Sequence, residues 1–134
     1  GLLARVYLGP LLDKYAKPHF PAVELARALD ERTDKRLPIV AENSLIAGNL
    51  KHQLPARFVS YPPVDFQLPA TGDALLVWDA GKDSEVPDKI MHYLEQRSFS
   101  PVSVLPAPQI LEAPLRLSDS RTFRLAWQQV RLVR

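Results

Sequence analysis

Ala74, Leu75, Leu76, Val77 and Trp78 form one unbroken apolar run, and Asp79, Ala80 and Gly81 then turn the chain. Side chains of a strand point alternately to its two faces, so a strand made only of apolar residues needs cover on both. A parallel sheet with helices on each side supplies that cover. The chain has 134 residues, about the length of one domain. A domain of this size buries roughly two-thirds of the surface its unfolded chain exposes, enough for a core on each side of a sheet. Hydrophobic residues make up 46% and charged residues 24%, which fits a folded globular unit and argues against disorder.

Thirteen prolines mark the boundaries of the other elements. After Pro18 and Pro21, the residues Ala22, Leu25, Ala26 and Leu29 fall on one helical face. Residues 33–36 are polar and read as a turn. Residues 37–41, centred on Ile39 and Val40, read as a short buried strand. Glu42, Asn43 and Ser44 follow, and then Leu45, Ile46, Leu50 and Leu54 keep helical spacing until Pro55. Asn43 or Ser44 is the expected N-cap, because a side-chain oxygen there accepts from the open amides of the first turn. Residues 57–61 read as a second strand, and residues 64–71 as a loop. A third helix is expected over residues 87–97, with Val86, Ile90, Tyr93 and Leu94 as its apolar face. Residues 102–105 read as a short strand. Pro101, Pro106, Pro108 and Pro114 limit further ladder formation nearby. Phe123, Leu125 and Trp127 alternate with polar or small residues, after which Val130 and Leu132 take the apolar role. That slip at Gln128 and Gln129 predicts a β-bulge in an antiparallel strand, residues 122–132, near a sheet edge.

These elements predict an α/β layered sandwich. Its sheet is expected to be mostly parallel and Rossmann-like, with helices on its faces and an antiparallel C-terminal edge strand. One domain covers residues 1–134, with an α/β core over residues 18–134. In open α/β sheets, ligands gather at the carboxyl ends of the strands. That places the candidate binding residues at Glu42, Asn43, Tyr61 and Asp79.

Several chemistries find no motif here. The turn after the first strand holds Glu42, Asn43 and Ser44, and the nearest glycine is Gly48, so the phosphate-cradling glycine patterns are missing. Ser44 lacks the flanking glycines of a nucleophile elbow and reads as a cap. His19, His52 and His92 lie far apart without metal-ligand spacing. Cysteine is absent, which removes disulfides, thiolate catalysis and cysteine metal sites from the chain. Net charge is only +2, with no basic stripe, so no nucleic-acid partner is expected. Arg121, Arg124, Arg131 and Arg134 read as the solvated side of the last strand. No cofactor, metal or catalytic residue is assigned.

The residues from Leu37 through Ala41, Glu42, Asn43 and Ser44 to Leu50, Leu54 and Pro55 carry a resemblance. They are similar to a segment of bacterial membrane glycosyltransferases of the dolichyl-phosphate-mannose-protein mannosyltransferase-like group. There a strand leads into an acidic turn and then a helix ending in a Leu-x-x-x-Leu-Pro pattern. Residues 56–61, residues 72–79 and the late strand with Thr122, Phe123, Arg124 and Leu125 follow in the same order. The resemblance covers most of the chain after Leu37. The family's usual turn is Ala-Asp followed by a bulky aromatic, and Ala41, Glu42, Asn43 and Ser44 depart from it.

The resemblance implies an accessory extracytoplasmic domain of an enzyme that uses a polyprenyl-phosphate sugar. On it, the catalytic acidic residues lie outside this chain, in a membrane-embedded part of the same polypeptide. Residues 1–17 would be the exit from the last membrane helix, and the domain would stand on the periplasmic face. Its role would be to help hold a glycan or lipid-linked acceptor. The opening on Gly1 rather than Met fits a piece of a longer protein. A second reading is a free-standing domain that binds or hydrolyses a small molecule through the strand-end carboxylates Glu42 and Asp79. A third, a protein-interaction module, would use Leu2, Leu3 and Leu8.

Overall fold

A computed structural model describes residues 21–62, 72–103, 107–114 and 122–133. The expected exit segment, residues 1–17, lies outside these, as do Leu2, Leu3, Leu8, His19, the loop at residues 64–71 and Arg121 and Arg134. The elements run α1 (Ala22–Arg32), β1 (Ile39–Ala41), α2 (Ser44–Gln53), β2 (Val59–Ser60), β3 (Gly72–Asp79), α3 (Asp88–Gln96), β4 (Ser100–Ser103), β5 (Gln109–Pro114) and β6 (Thr122–Val133).

Each helix forms where its pattern and its ends agree. The buried residues of α1 are Ala22, Leu25, Ala26 and Leu29, the predicted stripe. Glu24 in its first turn and Arg32 in its last complement the helix dipole. Asn43 caps α2, its side chain accepting from the Ile46 amide at 3.0 Å. Ile46, Ala47 and Leu50 are the buried side of α2. Ile90, Tyr93 and Leu94 are the buried side of α3. That helix ends through Ser98, whose φ of 64° is left-handed. The Ser98 amide donates to the Glu95 carbonyl at 2.9 Å and the Phe99 amide to the Leu94 carbonyl at 3.0 Å. These two bonds are a Schellman ending, with buried Phe99 closing it against the core beside Leu94.

The sheet is open and mixed, in the order β2-β1-β3-β6-β4, with β5 also paired to β6. Pairings of β1 with β2 and β3 are parallel. Pairings of β6 with β3, β4 and β5 are antiparallel. The expectation of a mostly parallel sheet therefore holds only for the β2-β1-β3 half. Helices cover both faces, as expected. Leu75 and Val77 of β3 pack with α1 and α2, while Ala74, Leu76 and Trp78 pack with α3. Every residue from Ala74 to Trp78 is fully buried. Burying this much apolar surface is what drives the layering, at about 25 cal/mol per Å2 removed from water.

Three expectations about the C-terminal half are corrected. The strand β6 is antiparallel but interior, with β3 on one side and β4 and β5 on the other. Its register with β3 runs unbroken from Gly72↔Leu132 to Asp79↔Leu125, so no bulge falls at Gln128 and Gln129 on that side. The slip in the apolar pattern has a different cause. Leu125 and Trp127 serve the α1/α2 core, whereas Ala126, Val130 and Leu132 serve the α3 core. The third correction is β5, a strand that starts just after Pro108 and takes in Pro114, which the prolines argued against. Its alternation is plain in the burial of Leu111 and Ala113 against exposed Ile110 and Glu112.

Candidate functional site

Parallel β1, β2 and β3 point their carboxyl ends the same way, so their exits share one edge of the sheet. Glu42 follows β1, Tyr61 follows β2, and Asp79 ends β3. The sequence-predicted residues are thus carried to one edge.

Glu42, Asn43 and Asp79 each spend a side-chain oxygen on the fold itself. Glu42 is buried, and its Oε1 accepts from the Asp79 amide at 2.9 Å. The Glu42 amide donates to the Val77 carbonyl at 3.0 Å. Together these bonds continue the β1–β3 ladder one step past its last pair, with a side chain standing in for a backbone acceptor. Asn43 Oδ1 is committed to the α2 cap. Asp79 Oδ1 accepts from the Gly81 amide at 2.8 Å, and its carbonyl accepts from the Lys82 and Asp83 amides. This is an Asx-type turn. A Cβ at Gly81 would sit 3.0 Å from Asp79 Oδ1, a tight approach that glycine avoids. The loop is held further by Trp78, whose Nε1 donates to the Asp83 carbonyl at 2.9 Å. Tyr61 is half-buried and packs against the α1/α2 core.

Glu42 and Asp79 meet, but through a carboxylate and a main-chain amide. A general acid or base needs a carboxyl within reach of a substrate proton. Glu42 spends an oxygen on the fold and is only 8% exposed. Clefts of about 360 and 370 Å3 open elsewhere on the surface, and none of Glu42, Asn43, Tyr61 or Asp79 lines either. His52 and His92 are exposed. Among the described residues, no three His, Asp or Glu side chains gather as a metal would require. Arg124 and Arg131 are exposed on β6, and Arg131 lies 3.4 Å from Asp73.

The role of Arg57 is not visible in the residue pattern. Its side chain is 3% exposed, and its guanidinium reaches four groups. Nη1 donates to Asp30 Oδ1 at 3.4 Å and to Thr33 Oγ1 at 3.2 Å. Nη2 donates to the carbonyls of Asp34 at 3.0 Å and Leu37 at 2.8 Å. Burial holds its pKa below the usual guanidinium range, with the Asp30 charge opposing that shift. The fork clamps the end of α1 and the turn into β1 onto the start of β2.

No family model matches the chain, and no curated protein and no solved structure is significantly similar to it. Among the described residues, no helix is long and apolar enough to cross a membrane.

Proposed function

We propose that this α/β unit is an accessory, non-catalytic domain of a membrane glycosyltransferase that uses a polyprenyl-phosphate sugar. It would stand on the extracytoplasmic face of the bacterial inner membrane. Its partner would be the membrane-embedded part of the same polypeptide, which carries the catalytic residues. Its task would be to help hold a glycan or lipid-linked acceptor. The parallel β2-β1-β3 half, with helices on both faces, is the Rossmann-like part of the design.

One observation carries the non-catalytic part of this reading. The most site-like residues, Glu42, Asn43 and Asp79, are each engaged in a bond that builds the β1–β3 ladder, the α2 cap or the turn after β3. The ordered resemblance from Leu37 to Leu125 supports the assignment to such an enzyme. The alternative, a hydrolytic domain using Glu42 and Asp79, draws no support from a carboxylate locked onto a backbone amide.

The experiment compares the full-length parent with a version ending before residue 18. Donor binding is expected to survive, and the KM for the acceptor to rise. Hydrolysis of a sugar phosphate by the 134-residue chain alone, lost in Glu42→Gln or Asp79→Asn, would overturn the proposal.

A further inference from the structure

Both β4 and β5 pair with the same edge of β6, because β3 occupies the other edge along Leu125–Leu132. β5 reaches Trp127 and β4 begins at Val130, so the described ladder parts at Gln128 and Gln129. A cleft of about 360 Å3 opens over this parting on the α3 face of the sheet. We propose that it is a binding site for a small, uncharged, hydroxyl-rich molecule the size of one or two sugar rings.

The floor carries the first argument. Gln128 lies in a row of β6 with Ala126, Val130 and Leu132, all of them in the α3 core. An aliphatic residue at 128 would extend that core, yet an amide stands there, only 7% exposed. Its Nε2 donates to Ser103 Oγ at 2.7 Å, and both side chains line the cleft. Amide and hydroxyl each keep further capacity, since an amide oxygen accepts two bonds and a hydroxyl both donates and accepts. A ligand with hydroxyl groups matches that pair.

The walls and rim narrow the class. Val86, Met91, Pro101 and Pro108 give aliphatic surface, suited to the C–H faces of a saturated ring. Among the described residues, exposed Glu85 is the charged side chain of the lining, and no Lys, Arg or His joins it. A carboxylate without a neighbouring cation accepts from hydroxyls and repels anions. Ligand pockets begin at roughly 300 Å3, so the space suits a small molecule rather than a folded partner. The inference stands on this lining alone and does not rest on the parent being a glycosyltransferase.

The test is an amide-shift titration of the isotope-labelled 134-residue chain at pH 7. The probes are glucose, mannose and galactose, with glucuronate as the anionic counterpart. Saturable shifts at Ser103, Glu85 and Gln128 with at least one hexose are expected, with glucuronate binding roughly tenfold weaker. Gln128→Leu, which fits the apolar row, should remove the response while the amides of α1 and α2 stay in place. Exposed Glu85→Lys, which leaves the core untouched, should bring glucuronate to at least parity with the hexose. No saturable shift with any hexose overturns the proposal. So does a hexose response that persists in folded Gln128→Leu, or a discrimination against glucuronate unmoved by Glu85→Lys.

Discussion

Replacing Arg57 with alanine removes a buried fork that holds the end of α1 to the start of β2. Four acceptors lose a donor: Asp30, Thr33 and the carbonyls of Asp34 and Leu37. A hydrogen bond to a charged group is worth about 1.5–3 kcal/mol, so the two short carbonyl bonds alone represent roughly 3–6 kcal/mol. Part of this is returned, because the guanidinium no longer has to be desolvated. Asp30 is 23% exposed at its side chain and regains water. The expected net loss is about 3 kcal/mol, or roughly 10 °C in Tm for a chain of this length. Urea denaturation with an unchanged m-value is the assay. Arg57→Lys should fall between the two, because one ammonium cannot span both carbonyls and Asp30. A loss below about 1 kcal/mol for the alanine variant, or a lysine variant as stable as the parent, would refute the clamp.

Three further outcomes follow from single contacts. Ser98→Gly should stabilise the chain by about 1 kcal/mol, since it relieves the left-handed φ of 64° that ends α3; a destabilised variant in the same denaturation assay would contradict this. Glu42→Ala should cost about 1–3 kcal/mol by leaving the Asp79 amide without its acceptor, while Glu42→Gln, which keeps an acceptor, should cost less; equal losses would show that the bond is immaterial. Asp34 has its carboxyl lowered from 3.8 to about 2, first by the side-chain hydrogen bond from Arg36 and then by the Arg36 amide. Its contribution is therefore present above pH 3.8 and is lost as pH falls through about 2. A carboxyl titration by NMR should place it there and return it toward 3.8 in Arg36→Ala; an unmoved midpoint would remove Arg36 as the cause.

The helices and the central strand were legible because their burial is written in a single period. The stripe of α1 and the run Ala74 to Trp78 each face one kind of environment along their whole length. The last strand was harder for a physical reason: β6 passes beneath helices on both faces, so its apolar residues change sides and imitate a bulge. Prolines hid β5, because Pro108 precedes the ladder and Pro114 is its last pair, so neither interrupts it. At the strand ends, residue types and position were readable, but their partners were not. That Glu42 would spend its carboxylate on the Asp79 amide depends on a β1–β3 pairing across many residues of chain. The clamp at Arg57 was invisible for the same reason, since its acceptors belong to α1 and the following turn.

The central claim, that this unit serves a membrane glycosyltransferase whose chemistry lies elsewhere in the polypeptide, is tested most directly by reading the coding sequence upstream of Gly1. A series of hydrophobic spans of about 20 residues each, the last ending just before Gly1, is the predicted result. A start codon close to Gly1 would contradict it.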